Sequence, residues 1–257
     1  MTGGPPTTVV VPCFDEAHRL DGDAYVGLAD QVGEVLFVDD GSTDGTVAML
    51  RTLATQHPSK VTVLELGRNH GKGEAVRRGM LMALDRDDPP AVVGYLDADL
   101  ATPPAELVRL RDVLVADDAL VGVLGSRVAL AGHRITRRRS RHYLGRLYAT
   151  GASIVLGREI YDTQCGAKVF RAGPPLREAL ATTFCDRWSF DVELLGRLLR
   201  AVPTGLREVP LEEWSEVPGS KIDLGASVRS TASLVRVWWR LRRVPRGPQA
   251  EEPAGAT

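Results

Sequence analysis

Residues 92–100 read VVGYLDADL, a short apolar run that ends in the acidic triplet Asp97-Ala98-Asp99. A run of five apolar residues that follows two prolines and ends in acids is typical of a strand buried in a parallel sheet. In open α/β sheets, ligands bind beyond the carboxyl ends of the strands, so we expect the two aspartates to border a binding site. A D-x-D triplet also recurs by chance, and its place directly after a predicted strand is what gives it weight.

The alternation of strands and helices extends to both sides of this stretch. Further strands are predicted at residues 9–13, 35–38, 61–66 and 120–124. Helical spacing of apolar residues covers 44–57, 72–84 and 104–115, with Asp44 and Thr102 as expected helix starts. This order predicts an α/β fold with a doubly wound, mostly parallel sheet and helices on both faces.

The pattern changes after Arg127. An Arg-rich helical stretch is predicted to about residue 156, a strand at 167–170, a helix at 190–199 and two short extended pieces within 207–214. We interpret this half as part of the same compact unit. The last 13 residues, 245–257, offer no side chains for packing and are predicted to be disordered.

Composition limits the class of protein. The chain has 257 residues and a net charge of -1, from 32 Lys and Arg against 33 Asp and Glu, which argues against a nucleic-acid binder with a generally basic surface. Cys13, Cys165 and Cys185 show no C-x-x-C spacing, and we interpret them as reduced thiols of a cytoplasmic protein. No basic segment followed by an apolar run resembles a secretory signal, and no window approaches the ~20 apolar residues of a membrane span.

Acidic residues follow three of the predicted strands. Pro12 to Glu16 follow the first strand, Asp39 and Asp40 the second, and the D-x-D triplet the fourth. Carboxylates that meet at one sheet edge repel each other unless a cation lies among them. Their oxygens suit Mg²⁺ or Mn²⁺, which would neutralise charge on a diphosphate leaving group. The alternative is that each acid caps a neighbouring helix, an interpretation we accept for Asp44.

Two common nucleotide-binding patterns are missing from the sequence. The first predicted strand is followed by PCFDEA and not by G-x-G-x-x-G, and Gly71-Lys72-Gly73 lacks the remaining positions of a P-loop. Lys72 is nevertheless a candidate for contact with phosphate or with an acid at the sheet edge, because the chain has only four lysines.

Eight ordered motifs between residues 9 and 224 resemble one known family: PCFDE, FVDDGSTDGT, NHGKGEAVRRGM, YLDADLATPP, GSR, DTQCGAKVFR, RWSFDVELL and WSEVPGSKI. The chain resembles family-two inverting glycosyltransferases of the GT-A fold. Within them it is similar to dolichyl-phosphate glucosyltransferases and, more distantly, to dolichyl-phosphate mannose synthases. The resemblance implies a nucleotide-sugar-binding half at 1–126, an acceptor-binding half at 127–224 and an amphipathic C-terminal helix at 225–244.

The resemblance also implies roles for residues on the donor side. The residues implied to line the nucleoside pocket are Pro12, Glu16, Asp39 and Asp40. Those implied to border the nucleotide are Lys72 and Gly73. The metal and the donor sugar are implied to be held by Asp97 and Asp99, with Asp99 the stronger metal candidate. The segment implied to close over the diphosphate contains Ser220 and Lys221, with Lys221 as the catalytic cation.

On the acceptor side, the resemblance implies phosphate contact by Arg127 and an acceptor wall that includes Gln164 and Trp188. Trp188 could instead belong to the core. If the acceptor is an alcohol, a carboxylate must remove its proton, and Asp191 is the best candidate base. If the acceptor is a phosphate monoester, its oxygen is already anionic near neutral pH.

Two segments could bring such a protein to a membrane. Residues 133–146, HRITRRRSRHYLGR, are cationic and contain no acid, although a charge run is often a solvated helix face. Residues 228–243 place Val228, Thr231, Leu234, Val235, Trp238 and Leu241 on one side of a helix and arginines on the other. That side could lie at the inner face of the cell membrane or pack against the domain. The resembled enzymes often carry membrane anchors, which this sequence does not show.

The prediction from sequence is therefore a metal-dependent hexosyltransferase that moves glucose from UDP-glucose to a polyprenyl phosphate at the membrane surface, with inversion. One alternative is the same chemistry with a soluble small-molecule or polysaccharide hydroxyl as acceptor. The other is a catalytically idle module that binds nucleotide sugar, against which the intact Asp97, Asp99 and Asp191 argue.

Overall fold

The computed structural model describes residues 4–136, 139–217 and 224–243, and no side chains in 139–147 and 224–231. Within these ranges, seven strands form one sheet in the order β3-β2-β1-β4-β7-β5-β8, and β6 pairs with β9. The strands are β1 (Thr7–Cys13), β2 (Gly33–Asp39), β3 (Val61–Glu65), β4 (Val92–Leu96), β5 (Gly122–Ser126), β6 (Arg134–Thr136), β7 (Ala167–Arg171), β8 (Leu206–Pro210) and β9 (Glu213–Ser215). The helices are α1 (Gly22–Val32), α2 (Thr46–Gln56), α3 (Lys72–Leu84), α4 (Pro104–Val115), α5 (Arg139–Leu156), α6 (Pro174–Leu180), α7 (Phe190–Ala201) and α8 (Leu224–Arg242).

The main sheet is mostly parallel, as predicted. Strand β1 pairs in parallel with β2 and β4, β2 with β3, and β5 with β8. Strand β7 is the exception, because it lies antiparallel between β4 and β5. Its register puts Lys168 directly opposite Tyr95 of β4.

Helices cover both faces of the sheet. Alternate residues of a strand point to opposite faces, so Val9 and Val11 pack in one buried cluster with α1, α2 and α4. Val10 points the other way, into a second cluster with α3, α6 and α7. The predicted doubly wound fold is therefore confirmed.

The parallel strands bring the predicted acidic loops to one edge. Cys13 at the end of β1 is in register with Asp39 at the end of β2, and β4 runs beside β1 in the same direction. Since the carboxyl ends of parallel neighbours meet at the same edge, the loops after β1, β2 and β4 lie side by side. This is the edge at which the sequence predicted a binding site.

Three local predictions were wrong. Residues 134–136 belong to strand β6, which pairs with Glu213–Ser215, and the helix in the Arg-rich stretch begins only at Arg139. Helices α1 and α6 were not predicted at all. Thr102 does not start α4, which begins at Pro104 after Pro103 without a side-chain cap. The β6 pairing depends on residues almost 80 positions away, which local periodicity cannot reveal.

Helix α8 packs against the domain on one side and is exposed on another. Leu234, Val237 and Leu241 are buried in a cluster with residues of α5 and α7. Leu234 and Leu241 therefore pack against the domain, which is one of the two alternatives from the sequence. Val235, which was predicted on the same side of the helix, is exposed. The side chains of residues 228 and 231, and all of 245–257, lie outside the described residues. No helix in the described ranges is both long enough and apolar enough to cross a membrane.

Helix α3 lies so close to the sheet that one of its glycines, Gly79, has no room for a side chain. A Cβ atom added to Gly79 would stand 2.6 Å from Cγ1 of Val10 and 2.7 Å from Cγ2 of Val38. We expect Gly79→Ala to lower the free energy of unfolding by about 1–3 kcal/mol, because both valines are buried and cannot move aside freely. Urea denaturation measures this difference.

Gly27 of α1 provides the matched control, because it is exposed and a Cβ atom there would meet nothing within 4 Å. We expect Gly27→Ala to raise the free energy of unfolding by about 0.5–1 kcal/mol, since alanine favours helix over glycine. Equal effects of the two substitutions would contradict the described contact between α3 and the sheet.

Candidate active site

The loop after β2 is folded around the carboxylate of Asp39. Its oxygens accept hydrogen bonds from the backbone N–H groups of Gly41, at 3.0 Å, and Ser42, at 3.2 Å. The loop after β1 joins it, because the N–H group of Asp15 donates to Oγ of Ser42 at 3.0 Å. Asp39 is buried and shapes the loop, and its predicted contact with a nucleoside remains a prediction.

Asp40 fixes the start of α3. Its two carboxylate oxygens each accept one backbone N–H bond, from His70 and from Gly71, both at 2.7 Å. Gly71 has a φ of +98°, and a Cβ atom there would stand 2.4 Å from Nε of Arg187, so only glycine fits. Lys72 follows as the first residue of the helix. The acid of one predicted loop thereby positions the cation of another.

The ammonium group of Lys72 lies against the D-x-D triplet. Its Nζ is 2.5 Å from Oδ1 of Asp97 and lies over the rings of Tyr95 and Phe190, at 5.7 and 5.9 Å from their centroids. Burial lowers the pKa of Lys72, but the charges of Asp97, Asp191 and Asp99 outweigh it and raise the pKa above the ordinary value. Lys72 is therefore charged at neutral pH.

The backbone holds the D-x-D triplet tightly. The N–H group of Asp97 donates to the carbonyl of Gly166 at 3.0 Å, and its own carbonyl accepts from the hydroxyl of Tyr25 at 2.8 Å. Leu100, directly after the triplet, has a φ of 53°, which is strained for a leucine. Burial, together with the charge of Asp97, raises the pKa of Asp99. The charge of Asp97 therefore lies close enough to Asp99 to oppose its ionisation.

The chemistry of these residues fits a small divalent cation. Asp97 Oδ1 is a buried oxygen whose contact with Lys72 is an ion pair and not an aligned hydrogen bond. Within the described residues, no group of three or more His, Cys, Asp or Glu side chains is arranged to bind a metal. Mg²⁺ is commonly held by one or two carboxylates plus substrate phosphates, so the two acids of the triplet suffice.

A second charged pair involves Lys168, whose ammonium group, like that of Lys72, lies over the ring of Tyr95. Nζ of Lys168 is fully buried and donates to Oδ1 of Asp191 at 2.8 Å and to the carbonyl of Cys165 at 2.6 Å. The hydroxyl of Tyr95 donates to the same oxygen of Asp191. Burial, and then the charge of Asp191, raises the pKa of Tyr95, which keeps this donor protonated. Asp191 is thus held in a buried network.

Gln164 and Trp188, which the sequence predicted to contact the acceptor, lie next to each other. Gln164 Nε2 donates to the carbonyl of Trp188 at 3.4 Å, and Trp188 is 41% exposed. This exposure excludes the alternative that Trp188 belongs to the core. Gln164 and Trp188 therefore share one surface, where the predicted contact with the acceptor would lie.

Arg127 is engaged by a protein carboxylate. Its Nε and a terminal nitrogen bind Asp162 at 2.6 and 2.8 Å, and its guanidinium lies 5.4 Å from the ring centroid of Trp214. Burial raises the pKa of Asp162, but the charge of Arg127 outweighs it and lowers that pKa to about 2. The predicted contact between Arg127 and a substrate phosphate remains a prediction.

The remaining predicted residues fall into two groups. Glu16 is ion-paired with Arg19, and Gly73 lies so close to Phe190 that a Cβ atom would stand 2.6 Å from the Phe190 Cβ. Pro12 is half-buried at the end of β1. The other group, Ser220 and Lys221, lies outside the described residues.

Sequence reasoning missed three side chains of this site. Arg19 is close enough for the charges of Asp99 and Asp97 to contribute to its raised pKa, after the larger effect of its hydrogen bond to Glu16. Lys168 and Tyr95 form the buried network described above. A lysine inside the apolar run AKVF, in a chain with so few lysines, was a usable signal for Lys168.

Comparison with known proteins identifies the class. Residues 8–174 match the model of glycosyl transferase family 2, which is more than half of the chain. The chain therefore belongs to this family of glycosyltransferases, and it is a hexosyltransferase with the GT-A fold.

Several relatives have a common name. The chain is 31% identical to the dolichyl-phosphate beta-glucosyltransferase of Dictyostelium discoideum, over 91% of this chain and 74% of that protein. It is 34% identical to the Drosophila melanogaster enzyme of the same name, over 84% and 68%. Among solved structures, it is similar to glucosyl-3-phosphoglycerate synthase of Mycobacterium tuberculosis in complex with Mg²⁺ and uridine diphosphate. That match has a TM-score of 0.65 and 18% identity, over 97% of this chain and 82% of the other.

Gly166 offers a test of the position of Asp97. A Cβ atom added there would stand 2.3 Å from Cγ and from Oδ2 of Asp97, so Gly166→Ala must displace the carboxylate. We expect the rate of nucleotide release from a nucleotide sugar to fall by about a hundredfold, the effect of a displacement near 1 Å at a reacting centre. Thermal unfolding, measured in parallel, should show that the variant still folds.

Gly45→Ala in the loop after β2 is the control, because the nearest atom to its added Cβ is the Ala17 Cβ at an ordinary 3.6 Å. Activity should be retained there. Full activity of Gly166→Ala would show that the described position of Asp97 is not needed for transfer.

Proposed function

We propose that this glycosyltransferase moves glucose from UDP-glucose to a polyprenyl phosphate, with inversion at the anomeric carbon. The donor is supported by the shared name of the relatives and by the uridine diphosphate of the related structure. The acceptor is supported by the same name and, independently, by the surroundings of Asp191.

The state of Asp191 is the observation that carries the choice of acceptor. A hydroxyl acceptor requires a base, and Asp191 was the candidate base from sequence. Its Oδ1 accepts from both Lys168 and Tyr95, and the residue is only 4% exposed. These two donors use the lone pairs of Oδ1, so that oxygen is not available to take a proton from an acceptor hydroxyl. A phosphate acceptor needs no base, because its oxygen is anionic near neutral pH.

We assign the donor side to the edge formed by the first, second and fourth strands. Asp97 and Asp99 would hold Mg²⁺ or Mn²⁺, which when bound supplies Lewis-acid stabilisation of the diphosphate. Pro12, Glu16, Asp39 and Asp40 would border the nucleoside, since a carboxylate that accepts two N–H bonds retains free lone pairs. Lys72, Gly73, Ser220 and Lys221 would contact the diphosphate.

In the reaction, an oxygen of the acceptor phosphate attacks the anomeric carbon from the face opposite UDP. The new carbon–oxygen bond forms as the bond to the diphosphate breaks, and the departing negative charge lies next to Lys72. Fixed positive charge close to a developing negative charge is an effective form of transition-state stabilisation. Gln164, Trp188 and Arg127 would orient the acceptor.

Two other functions were open from the sequence. Transfer to a soluble hydroxyl would need a free carboxylate near the anomeric carbon, and Asp191 is engaged. A catalytically idle binding module would not need a charged lysine in contact with the D-x-D triplet. Both alternatives give distinct results in the following experiment.

We predict that UDP release from UDP-glucose with Mg²⁺ or Mn²⁺ will increase on addition of undecaprenyl phosphate in detergent, and not on addition of undecaprenol. The two lipids differ only in the phosphate, so the comparison isolates the need for a base. Formation of the glycolipid is followed by mass spectrometry.

Asp99→Asn is the control, and its activity should fall by about 10²–10³-fold because it removes a charged ligand of the metal that would stabilise the diphosphate. Equal transfer to the alcohol would overturn the proposed acceptor. No turnover with any acceptor would favour the idle module.

We further propose that the protein contacts a membrane through the exposed flank of α8. Val235 and Trp239 are about half exposed, and Ile154 of α5 is 74% exposed. Beside them, a groove of about 390 Å³ between α5, α7 and α8 contains Arg158, Arg200 and Arg242 and no acidic residue. Apolar side chains beside arginines, in a groove lined by no acidic side chain, favour a surface of anionic phospholipid.

We predict that the protein will sediment with vesicles containing phosphatidylglycerol and not with pure phosphatidylcholine vesicles. Trp239→Ser combined with Val235→Ser should reduce binding, and Arg242→Gln should weaken it by about 1 kcal/mol. Met82→Ser in α3, an exposed apolar residue elsewhere, should have no effect. Identical binding of all variants would assign the membrane contact to another surface.

A further inference from the structure

A lysine occupies the position where a divalent cation is expected. Nζ of Lys72 lies 2.5 Å from Oδ1 of Asp97, and that oxygen accepts no directed hydrogen bond from the described part of the chain. A charged ammonium group and a divalent metal ion at one carboxylate oxygen repel each other at short distance, so each weakens the binding of the other. Lys72 therefore already supplies the positive charge that the D-x-D triplet needs.

The backbone of Lys72 is fixed while its side chain has room. The carboxylate of Asp40 binds the two N–H groups that precede Lys72, and Gly73 is packed against Phe190. In contrast, the Lys72 side chain is 37% exposed and rests on aromatic ring faces, which hold a cation without fixing its direction. The ammonium group can therefore leave Asp97 without disturbing α3.

We propose that Lys72 is an internal counter-ion that competes with the divalent cation for Asp97. When a diphosphate binds, Lys72 moves to the diphosphate and leaves Asp97. A nucleoside diphosphate brings two charged phosphate groups to the mouth of the site and gives the ammonium group an alternative partner. The oxygen of Asp97 then becomes free for the metal. This inference rests on the proposed metal site at Asp97 and Asp99.

One consequence is that metal and nucleotide bind cooperatively. If the departure of Lys72 from Asp97 favours the metal, UDP must raise the affinity for the metal, and the metal must raise the affinity for UDP by the same factor. The free protein would bind metal weakly. Lys72 would then ensure that the metal binds together with the nucleotide.

The test is titration of the full-length protein with Mn²⁺, followed by electron paramagnetic resonance, with and without UDP. In the wild type, we expect UDP to raise the Mn²⁺ affinity at least about tenfold. In Lys72→Met, which keeps the side-chain length but removes the charge, Mn²⁺ alone should bind at least about tenfold more tightly than to the wild type. The same variant should bind UDP more weakly without metal, so the two affinities move in opposite directions.

Two further variants distinguish contact from general charge. Lys72→Arg keeps the cation and should retain weak Mn²⁺ binding without UDP. Arg19→Met removes a positive charge that acts on Asp97 and Asp99 without contact to Asp97, and it should change the Mn²⁺ affinity less than Lys72→Met. An equal change in Mn²⁺ affinity in Arg19→Met and Lys72→Met would show that net charge alone causes the effect. That result would overturn the proposal.

Equal Mn²⁺ affinity of wild type and Lys72→Met in the absence of UDP would also overturn the proposal while leaving the metal site intact. Failure of every variant to bind Mn²⁺, even with UDP, would instead remove the metal site and with it the proposed metal-dependent function.

Discussion

The structure depends on the placement of negative charge at one edge of a parallel sheet. The loops after β1, β2 and β4 each contribute acids, and like charges at short distance destabilise the folded state unless they are neutralised. Most of these acids are neutralised by their own surroundings: Asp39 and Asp40 by loop amides, Glu16 by Arg19. Among the described residues, the D-x-D triplet has two carboxylates and one ion-paired cation, Lys72, so it retains negative charge that suits a metal ion.

The antiparallel strand β7 supplies the counter-charge for a further acid, Asp191. It inserts between β4 and β5 and places Lys168 opposite Tyr95, where both reach Asp191 of α7. A buried ion pair contributes little net stability, but loss of one partner would leave an uncompensated charge. This pair therefore joins strand β7 to helix α7, close to the residues proposed to bind the acceptor.

The sequence predicted the architecture well wherever the signal was local. Strand positions, helices α2, α3, α4 and α7, and the sheet edge with Asp40 and Asp97 follow from periodicity and from the position of acids after strands. The contacts of these acids could not be predicted, because the partners of Asp40 are backbone groups in a loop some 30 residues further along. The same is true of the ion pair between Arg127 and Asp162, and of strand β6, whose partner is distant in sequence.

Three helices, α5, α7 and α8, run in the same direction beside the residues proposed to bind the acceptor. At the end nearest Asp191, the hydroxyl of Ser189 joins them, since it bonds to Tyr148 of α5 and to Ser233 of α8. At the other end, the side chains of Leu156 and Leu241 close over Gly196. The C-terminal helix thus supports the helix that carries Asp191, and shortened versions of the chain for crystallography or engineering should end after Arg243 and not before Ser233.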